Sequence, residues 1–381
     1  MEPTMNTALG SVGKSGIRVF TQMAKQEPGC LFLTLGEPDF DTPAPVRTAA
    51  KASLDAGETH YGENNGQPFL REAIAAFEQT KHGLPYSPDE IIVTVGATEA
   101  LFCALFGILN PGDEVIVPTP AFGLYESIVK LCRGVYVPLD TRETGFQITA
   151  EQLRRAVTPR TKALILTSPN NPTGCVYTHE TLEAIHSVVR DAPLFILCDE
   201  VYRDLTYTDR FESFSRYQDL RQQLIVAQSF SKPYAMTGWR VGYLMADRPV
   251  KAQLEKVHQY DVVSVPTFMQ RACVKALDTD VRPMRETCRR RRDYVCARLD
   301  AMGLSYFRPE GAFYVFPSIA AYGMDSTVFC TRMVKEGKLA CTPGVCFGAE
   351  GFLRISYCYG DDVLREGMDR LERFLHTLQT P

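Results

Sequence analysis

Seven short runs of apolar, mostly β-branched residues recur between residues 91 and 245, and three of the stretches between them carry apolar residues at helical spacing. The runs are 91–95, 114–117, 135–137, 163–167, 194–198, 224–228 and 241–245, and the helical stretches are 98–109, 123–132 and 179–190. Short strands that alternate with helices are typical of a parallel sheet covered on both sides. The sequence therefore predicts an α/β fold with a mostly parallel seven-stranded sheet and helices on both faces.

The pattern changes after about residue 280. Residues 285–302 are predicted to form a long charged helix, 312–316 and 353–357 two strands, and the chain from Asp362 onward a terminal helix. These elements indicate a smaller α+β domain. The first 45 residues are too short for a core of their own, so we expect them to pack on that domain. The predicted large domain is therefore 46–280, and 1–45 with 281–381 form the small one.

The composition is that of an ordinary globular protein, with 381 residues, 45% hydrophobic, 23% charged and a formal net charge of −4. The longest apolar run, 100–109, is about half of the roughly 20 residues that a membrane-spanning helix needs. There is no signal-like segment or long basic tract, so no membrane or nucleic-acid partner is predicted. The one dense basic cluster, Arg289 to Arg292, is interpreted as a solvated helix face, with an anion or partner contact as the alternative.

The cysteines and histidines indicate no metal site. The twelve cysteines contain no CxxC pair, and the six histidines are dispersed along the chain. Reduced thiols in a cytoplasmic protein are the simplest interpretation of this cysteine pattern.

Polar residues follow four of the predicted strands, at the edge where open α/β sheets bind ligands. These strands lead into Gly96-Ala97-Thr98, into SPNNPTG at 168–174, into DEVY at 199–202 and into SFSKPYAMTGWR at 229–240. The four segments supply a helix N-terminus with a hydroxyl, an amide, a carboxylate with a phenol, and a lysine with an arginine. We expect these groups to lie together, because the carboxyl ends of parallel strands meet at one edge.

One end of this predicted site is suited to a phosphate. The helix that begins at Gly96, Ala97 and Thr98 offers free backbone N–H groups and the positive end of its dipole. Ser229 and Arg240 could complete the cradle, since the Arg240 guanidinium is always charged and donates several hydrogen bonds.

The remaining groups suit an aromatic aldehyde. Asp199 directly after a buried strand needs a partner, and a pyridinium N–H would keep it ionised. Asn171 and Tyr202 are donors suited to a phenolic oxygen. Lys232, close to Arg240 and partly desolvated, would have the lowered pKa that an amine needs to form a Schiff base. A ligand with a phosphate, a ring nitrogen, a phenolic oxygen and an aldehyde is pyridoxal 5′-phosphate.

Each of these residues has an ordinary alternative when taken alone. Asp199 could cap a helix, Lys232 could be a surface residue, and Gly96-Ala97-Thr98 could form a turn. Their joint order along the chain favours the cofactor site.

The motifs around these residues resemble those of the class I/II aminotransferases of the Iγ kind, which have pyridoxal-phosphate fold type I. They are SFSKPYAMTGWRVGY, NNPTG, DEVY, LGEPDF at 35–40 and LRISY at 353–357. The resemblance extends from about Ser15 to the C-terminal helix. It implies that Lys232, Asp199 and Tyr202 are catalytic, as the Schiff-base lysine, the pyridinium partner and a partner of the phenolic oxygen.

The same resemblance implies roles for further residues. Phe122 would stack on the cofactor ring, with a core position as the alternative. Arg354 would bind the substrate α-carboxylate together with Asn171, or else form a structural ion pair, and Gly36 would approach the substrate with its backbone. Tyr61 would reach the phosphate of the partner subunit in a homodimer with shared active sites, or else be a turn residue.

The predicted activity is ping-pong transfer of an α-amino group from an L-amino acid to a 2-oxo acid, both small molecules. The nearest alternative is a pyridoxal-phosphate C–S β-lyase, whose relatives generally lack the MTGWR segment found at 236–240. A pyridoxal-phosphate-sensing regulator is a second alternative, but its helix-turn-helix module has no room before the resemblance begins. Pro233 and Phe122 depart from the common family residues, which leaves the substrate open rather than the reaction.

Overall fold

The computed structural model describes residues 3–379, so residues 1–2 and 380–381 of the predicted small domain lie outside the described residues. The strands are β1 Leu31–Phe32, β2 Ile91–Thr94, β3 Glu114–Thr119, β4 Val135–Asp140, β5 Thr161–Thr167, β6 Phe195–Asp199, β7 Leu224–Ser229, β8 Gly242–Ala246, β9 Tyr314–Val315, β10 Leu339–Ala340, β11 Thr342–Pro343 and β12 Leu353–Ser356. The α-helices are α1 Gly16–Ala24, α2 Ala44–Asp55, α3 Pro68–Phe77, α4 Gly96–Ile108, α5 Leu124–Leu131, α6 Ala150–Ala156, α7 His179–Val189, α8 Arg248–Asp261, α9 Thr267–Leu277, α10 Arg282–Ala301, α11 Ser326–Gly337 and α12 Asp361–Gln379. Within residues 3–379, no helix has both the length and the apolarity needed to cross a membrane.

Seven strands form one sheet in the order β2-β8-β7-β6-β5-β3-β4. All pairs are parallel except those of β8, which runs antiparallel to both of its neighbours. Helices on the two faces bury two separate apolar clusters against the sheet, and the inner strands are accordingly buried along their length. The predicted α/β fold with a mostly parallel seven-stranded sheet is therefore confirmed.

The reversed direction of β8 positions the residues that precede it. Its first residue, Gly242, lies opposite both Thr94 at the end of β2 and Ser229 at the end of β7. The chain just before β8 therefore enters the sheet at the edge where the parallel strands end. This brings Arg240 to that edge.

A third apolar cluster joins the N-terminal and C-terminal parts of the chain. Strand β1 pairs in parallel with β10, and Phe20 and Leu33 share this cluster with Phe329 and Leu371 of α11 and α12. Strands β11, β12 and β9 form a small antiparallel sheet beside it. The division into 46–280 and two flanking parts stays a prediction.

The predicted strand 312–316 is shorter in the structure. Only Tyr314–Val315 pairs as β9, because Ala312 has a φ of 58°, which is outside the extended region. The backbone therefore turns just before Tyr314, and the cavity described below begins there.

The arginine cluster on α10 is only partly a solvated face. Arg289 is exposed and pairs with Glu286, but Arg291 is buried and donates to both carboxylate oxygens of Asp39 and to Asp361. Successive helical residues are about 100° apart, so a run of four cannot all face solvent. Arg291 thus ties the 35–40 loop to the start of α12.

Candidate active site

A cavity of about 610 Å³ opens at the carboxyl edge of the parallel strands. Predicted site residues that line it are Gly36, Ala97, Thr98, Phe122, Asn171, Asp199, Tyr202, Ser229, Lys232, Arg240 and Arg354. Two predicted residues, Gly96 and Tyr61, are not on its wall. The strand ends therefore bring most of the predicted residues together, and residues of α1 and of the 34–37 segment close the opposite side.

The N-terminus of α4 and the Arg240 guanidinium lie against each other at one end of the cavity. Gly96 has a φ of 77°, and a Cβ added there would lie 2.8 Å from Arg240 Nη2. A Cβ on Gly242 would lie 2.9 Å from the Ala97 nitrogen, so both glycines allow a close approach to this turn. The first amides of α4 have no partner within the helix. Free amides, a helix dipole and a guanidinium together can hold an anion.

The end of β7 adds hydroxyl groups to this turn. Ser229 donates from Oγ to Ser231 Oγ at 2.8 Å, and the Ser231 amide donates to Ser229 Oγ at 3.0 Å. Arg240 has a φ of 56° and donates from Nη1 to the Thr237 carbonyl at 3.1 Å. These contacts hold the 229–240 segment in a compact loop over the α4 N-terminus.

Asp199 is buried at the end of β6, and no cationic side chain among residues 3–379 is bonded to it. It accepts a hydrogen bond from the Tyr125 hydroxyl at 2.7 Å, and Thr167 donates in turn to Tyr125 at 2.8 Å. The Val201 amide donates to the other Asp199 oxygen at 3.3 Å. Burial raises the pKa of Asp199, while the Tyr125 and Val201 hydrogen bonds and the charge of Lys232 oppose that rise. A cationic partner in the cavity would favour the ionised form.

Lys232 points into the same cavity. Its Nζ donates to the Gly36 carbonyl at 2.7 Å and lies 6.0 Å from the centre of the Tyr202 ring. Burial lowers the pKa of Lys232 to about 8, and the charges of Arg354 and Arg240 act in the same direction. The sequence predicted this lowering of the pKa from Arg240 and from partial desolvation, and removal from water is the larger of the two causes.

Arg354 is a buried cation on β12, with a side chain only 2% exposed. Its Nη1 donates to Asn171 Oδ1 at 2.8 Å and its Nη2 to the Thr34 carbonyl at 2.5 Å. Its Nε has no hydrogen-bond partner, and no carboxylate in the described part of the chain lies within 4 Å of it. A buried guanidinium that meets only neutral oxygens can bind an anionic ligand.

The NNPTG segment places Asn171 by folding into a tight turn. The neighbouring Asn170 accepts from the Thr173 amide at 3.2 Å and from the Thr173 hydroxyl at 2.9 Å. This turn follows β5 directly and holds Asn171 buried beside Arg354. The amide oxygen of Asn171 is used by Arg354, and no residue in 3–379 bonds to its amide nitrogen.

Tyr202 and Phe122 both line the cavity. The Tyr202 hydroxyl lies 2.9 Å from the Tyr314 hydroxyl, and burial raises the pKa of Tyr202 well above its usual value. Phe122 is half-buried and meets the Tyr125 ring edge-on, with ring centres 6.3 Å apart. One edge of the Phe122 ring packs in the core beneath while the ring still lines the cavity.

Tyr61 lies outside the cavity and is 91% exposed. Its loop is nevertheless well anchored, since Asn64 donates to the Val263 carbonyl at 2.5 Å and accepts from His258 Nε2 at 2.8 Å. His258 also bonds to Glu99 of α4 at 2.8 Å. Burial disfavours the charged ring, but this contact with Glu99 outweighs burial and raises the pKa of His258. The Tyr61 side chain thus projects into solvent from a loop that these hydrogen bonds anchor.

Comparison with known proteins settles the family. The model for "Aminotransferase class I and II" matches residues 28–371. The chain belongs to this family. It is therefore an enzyme that transfers an amino group, so the predicted class I/II aminotransferase family and the predicted amino-group transfer are confirmed.

The relatives of this aminotransferase cover nearly its whole length. It is 40% identical to an aspartate aminotransferase of Pyrococcus abyssi, over 97% of this chain and 98% of that protein. It is 38% identical to aromatic-amino-acid aminotransferase 2 of Thermococcus litoralis, with the same coverage. Its fold superimposes on the Thermus thermophilus aspartate aminotransferase with maleate at a TM-score of 0.93 and 36% identity, covering 98% of this chain and all of that one.

Sequence reasoning missed two tyrosines of this aminotransferase that touch the predicted residues, Tyr125 and Tyr314. Tyr125 lies on α5 at a position whose spacing indicates a core residue, and it is indeed buried in the core up to its hydroxyl. Tyr314 is the first residue of the short strand β9, with Phe313 before it and Val315 after it, and its position likewise indicates a core residue. Tyrosine rather than phenylalanine at a buried position was the available signal, because a buried hydroxyl needs a partner.

Proposed function

We propose that this aminotransferase holds pyridoxal 5′-phosphate in the cavity and moves an α-amino group from an L-amino acid to a 2-oxo acid in two alternating half-reactions. The observation that carries the proposal is that Lys232 and Asp199 line one cavity, which also has a cradle for an anion at one end. The substrates are small molecules.

The residues present fit this cofactor. The Gly96 turn leaves room beside Arg240 that a Cβ would fill, which suits a phosphate group. Asp199 is a buried carboxylate without a bonded cation, which suits a protonated ring nitrogen. The Asn171 amide nitrogen and the Tyr202 hydroxyl can donate to a phenolic oxygen, and the face of Phe122 can cover the ring.

When bound, pyridoxal phosphate supplies an aldehyde that condenses with amines and a ring that accepts electrons from the substrate Cα. Asp199 keeps its charge beside the ring nitrogen, and Tyr125 holds the carboxylate in place. Lys232 would take the proton from the substrate Cα and deliver it to the cofactor carbon that carried the aldehyde oxygen. Because burial lowers the pKa of Lys232 to about 8, a substantial fraction of the amine is neutral near neutral pH.

The α-carboxylate is bound by Arg354. Its partners Asn171 and Thr34 hold the guanidinium still, and Phe347 packs 4.8 Å from it. The substrate carboxylate would be the missing counter-charge, and its hydrogen bonds are charge-assisted. Fixing this end of the substrate directs its Cα toward Lys232, which lies next to the Gly36 carbonyl.

The complete site includes a second copy of the chain. Tyr61 is too exposed to act in its own cavity, yet its loop is fixed, so we place its hydroxyl at the phosphate of the partner subunit in a homodimer. A cytoplasmic location agrees with twelve cysteines that are all free thiols.

The test uses Lys232→Ala with Lys256→Ala as the matched control, since Lys256 is an exposed lysine on α8 that does not line the cavity. Protein reconstituted with pyridoxal phosphate should show a visible absorbance band and transfer amino groups in a screen of donors against 2-oxoglutarate and pyruvate. Lys232→Ala should lose turnover and the wild-type band while retaining some cofactor, and Lys256→Ala should match the wild type.

Full turnover by Lys232→Ala would refute the assignment of the lysine. Pyruvate and ammonia released from a sulfur amino acid without any added 2-oxo acid would indicate a C–S β-lyase instead. Full activity of the monomer at nanomolar concentration would contradict the shared site.

A further inference from the structure

Tyr314 touches three residues of the proposed site, although it follows no motif. Its hydroxyl lies 2.9 Å from the Tyr202 hydroxyl, and its ring centre lies 4.3 Å from the Arg354 guanidinium carbon. A Cβ added to Gly36 would lie 1.7 Å from the Tyr314 oxygen. We infer that Tyr314 is a positioning residue, which strengthens the hydrogen bond that Tyr202 donates to the cofactor and fixes the plane of Arg354. The inference rests on the proposed function.

The direction of the hydroxyl pair follows from counting protons. Tyr202 has one hydroxyl proton, and in the proposed site it donates that proton to the phenolic oxygen of the cofactor. Its oxygen can then only accept from Tyr314, so Tyr314 donates to Tyr202. Chained hydrogen bonds polarise one another, so the second donor strengthens the first. Burial raises the pKa of Tyr314 to about 12, which keeps this proton in place across the working pH range.

The ring of Tyr314 acts on Arg354. The guanidinium contacts the Tyr314 ring and the Phe347 ring, whose centres are 4.3 Å and 4.8 Å from its carbon. Asn171 and Thr34 each take one terminal nitrogen, while Nε has no partner. The two rings therefore restrict rotation of the guanidinium out of the plane in which a carboxylate can bind its remaining N–H donors.

The contact with Gly36 connects Tyr314 to the lysine. The Gly36 carbonyl accepts from Lys232 Nζ at 2.7 Å, and the Tyr314 hydroxyl packs directly on the Gly36 Cα. A larger residue at position 36 would displace the hydroxyl from Tyr202. The same tyrosine thus sets the spacing between the carboxylate end and the lysine end of the cavity.

The first test is a pH titration of the visible absorbance of the reconstituted protein. A hydrogen-bond donor withdraws negative charge from the phenolic oxygen of the cofactor, and this oxygen then holds a neighbouring proton less strongly. The pH midpoint of the absorbance change therefore falls. Tyr202→Phe should raise that midpoint most, and Tyr314→Phe should raise it by about 0.5 pH unit, since one unit equals about 1.4 kcal/mol and the effect is indirect. Tyr136→Phe, which removes a half-buried hydroxyl on the edge strand β4, should leave the midpoint unchanged.

The double variant decides whether Tyr314 acts through Tyr202. In a Tyr202→Phe background, Tyr314→Phe should add no further shift. Gly36→Ala retains both tyrosines but displaces the Tyr314 hydroxyl, so it should produce the same shift of the midpoint as Tyr314→Phe. This variant keeps the inference testable if Tyr314→Phe does not fold. An unshifted midpoint in Tyr314→Phe, or an equal shift with and without Tyr202, would overturn the inference.

The ring is tested separately by the KM for the best donor found in the screen. Tyr314→Phe keeps the ring over Arg354 and should change KM less than about twofold, while Tyr314→Leu should raise it about tenfold, the effect of losing a contact of about 1.4 kcal/mol. Equal KM values for the two variants would contradict the role of the ring. If wild-type protein shows no visible band with pyridoxal phosphate, the proposed function fails. If it shows the band but Tyr314→Phe titrates like wild type, only this inference fails.

Discussion

Two buried arginines, Arg203 and Arg354, differ in their partners, and the difference separates a structural charge from one that we propose binds a ligand. The Arg203 side chain is 1% exposed and donates to both oxygens of Glu78 at 2.5 and 2.9 Å, with Glu200 at 3.5 Å. Arg354 is as deeply buried but meets only an amide oxygen and a carbonyl. A buried charge is costly without a counter-charge. The Nε of both arginines is without a partner in the described residues, so the two differ in the counter-charge. Arg203 has a carboxylate within the protein, whereas we propose that Arg354 receives one from the substrate.

The same difference separates two neighbouring carboxylates. Asp199 faces the cavity and has a phenol as its side-chain partner, whereas Glu200 faces away, toward Arg203 and the Ser213 hydroxyl. Successive residues of an extended strand end point to opposite sides. The DEVY segment therefore places Asp199 on the cavity wall, where we propose that it acts, and Glu200 in the protein interior.

The largest expected effect is that of Arg354→Gln on activity. Loss of a buried charge that pairs with a ligand typically costs about 2–5 kcal/mol, so kcat/KM should fall by about 30-fold to about 5,000-fold, mainly through KM. Because no carboxylate is left unpaired, the free energy of unfolding should stay within about 1 kcal/mol of wild type. Steady-state kinetics and urea denaturation measure the two quantities.

Arg203→Gln is the matched control and should behave in the opposite way. It leaves Glu78 buried without its cation, so the free energy of unfolding should fall by about 3–5 kcal/mol. KM of the protein that remains folded should change little. The comparison fails if Arg354→Gln proves the more destabilising of the two.

A smaller effect is expected from pH on Glu200. Burial raises the pKa of Glu200 to about 7, although the charge of Arg203 opposes that rise. The folded state therefore favours the protonated carboxyl. The stability that this protonated carboxyl contributes is complete below the unfolded pKa of about 4.3 and is lost as the pH rises through the folded pKa of about 7. Glu200→Gln should thus gain stability relative to wild type by on the order of 1–3 kcal/mol between pH 4.5 and 7.5. Denaturation curves at several pH values test this prediction. If the stability of Glu200→Gln relative to wild type increased toward acid pH, the predicted sign would be contradicted.

The smallest effect is that of Tyr125→Phe. Without this donor the pKa of Asp199 should rise further, since burial then acts with less opposition. Loss of one charged hydrogen bond of about 1.5 kcal/mol should lower kcat by about tenfold and leave the KM for the donor nearly unchanged. Tyr136→Phe serves as the control. A wild-type kcat in Tyr125→Phe would show that Asp199 is held without it.

The sequence alone predicts the sheet and the positions of its chemical groups, because both follow from short apolar runs and from what stands after each. Residues Asp199, Asn171 and Ser229 were predicted for the site on that ground, and the structure places all three on the cavity wall. Arg240 was predicted on the same ground, as part of the segment that follows β7, but it stands at the far end of that segment, just before β8. It lies at the same edge because β8 is reversed, a fact that only pairing shows.

Contacts between distant aromatic residues are what the sequence could not supply. The sequence pattern around Tyr125 and Tyr314 indicates core residues, because their rings do pack in the core. It is the Tyr125 hydroxyl that reaches Asp199, and the Tyr314 hydroxyl that reaches Tyr202. The burial of Arg291 is similar, since its partner Asp39 is about 250 residues away and helical periodicity does not indicate it. Side chains that act through one terminal atom are therefore the part of a site least accessible to pattern reasoning.

The most direct test of the account is chemical trapping of the lysine. Protein reconstituted with pyridoxal phosphate is reduced with borohydride, digested and analysed by mass spectrometry. The account predicts that the reduced cofactor is attached to the peptide that contains Lys232 and that Lys232→Ala protein carries none. Attachment to another lysine, or none in wild-type protein that binds the cofactor, would contradict it.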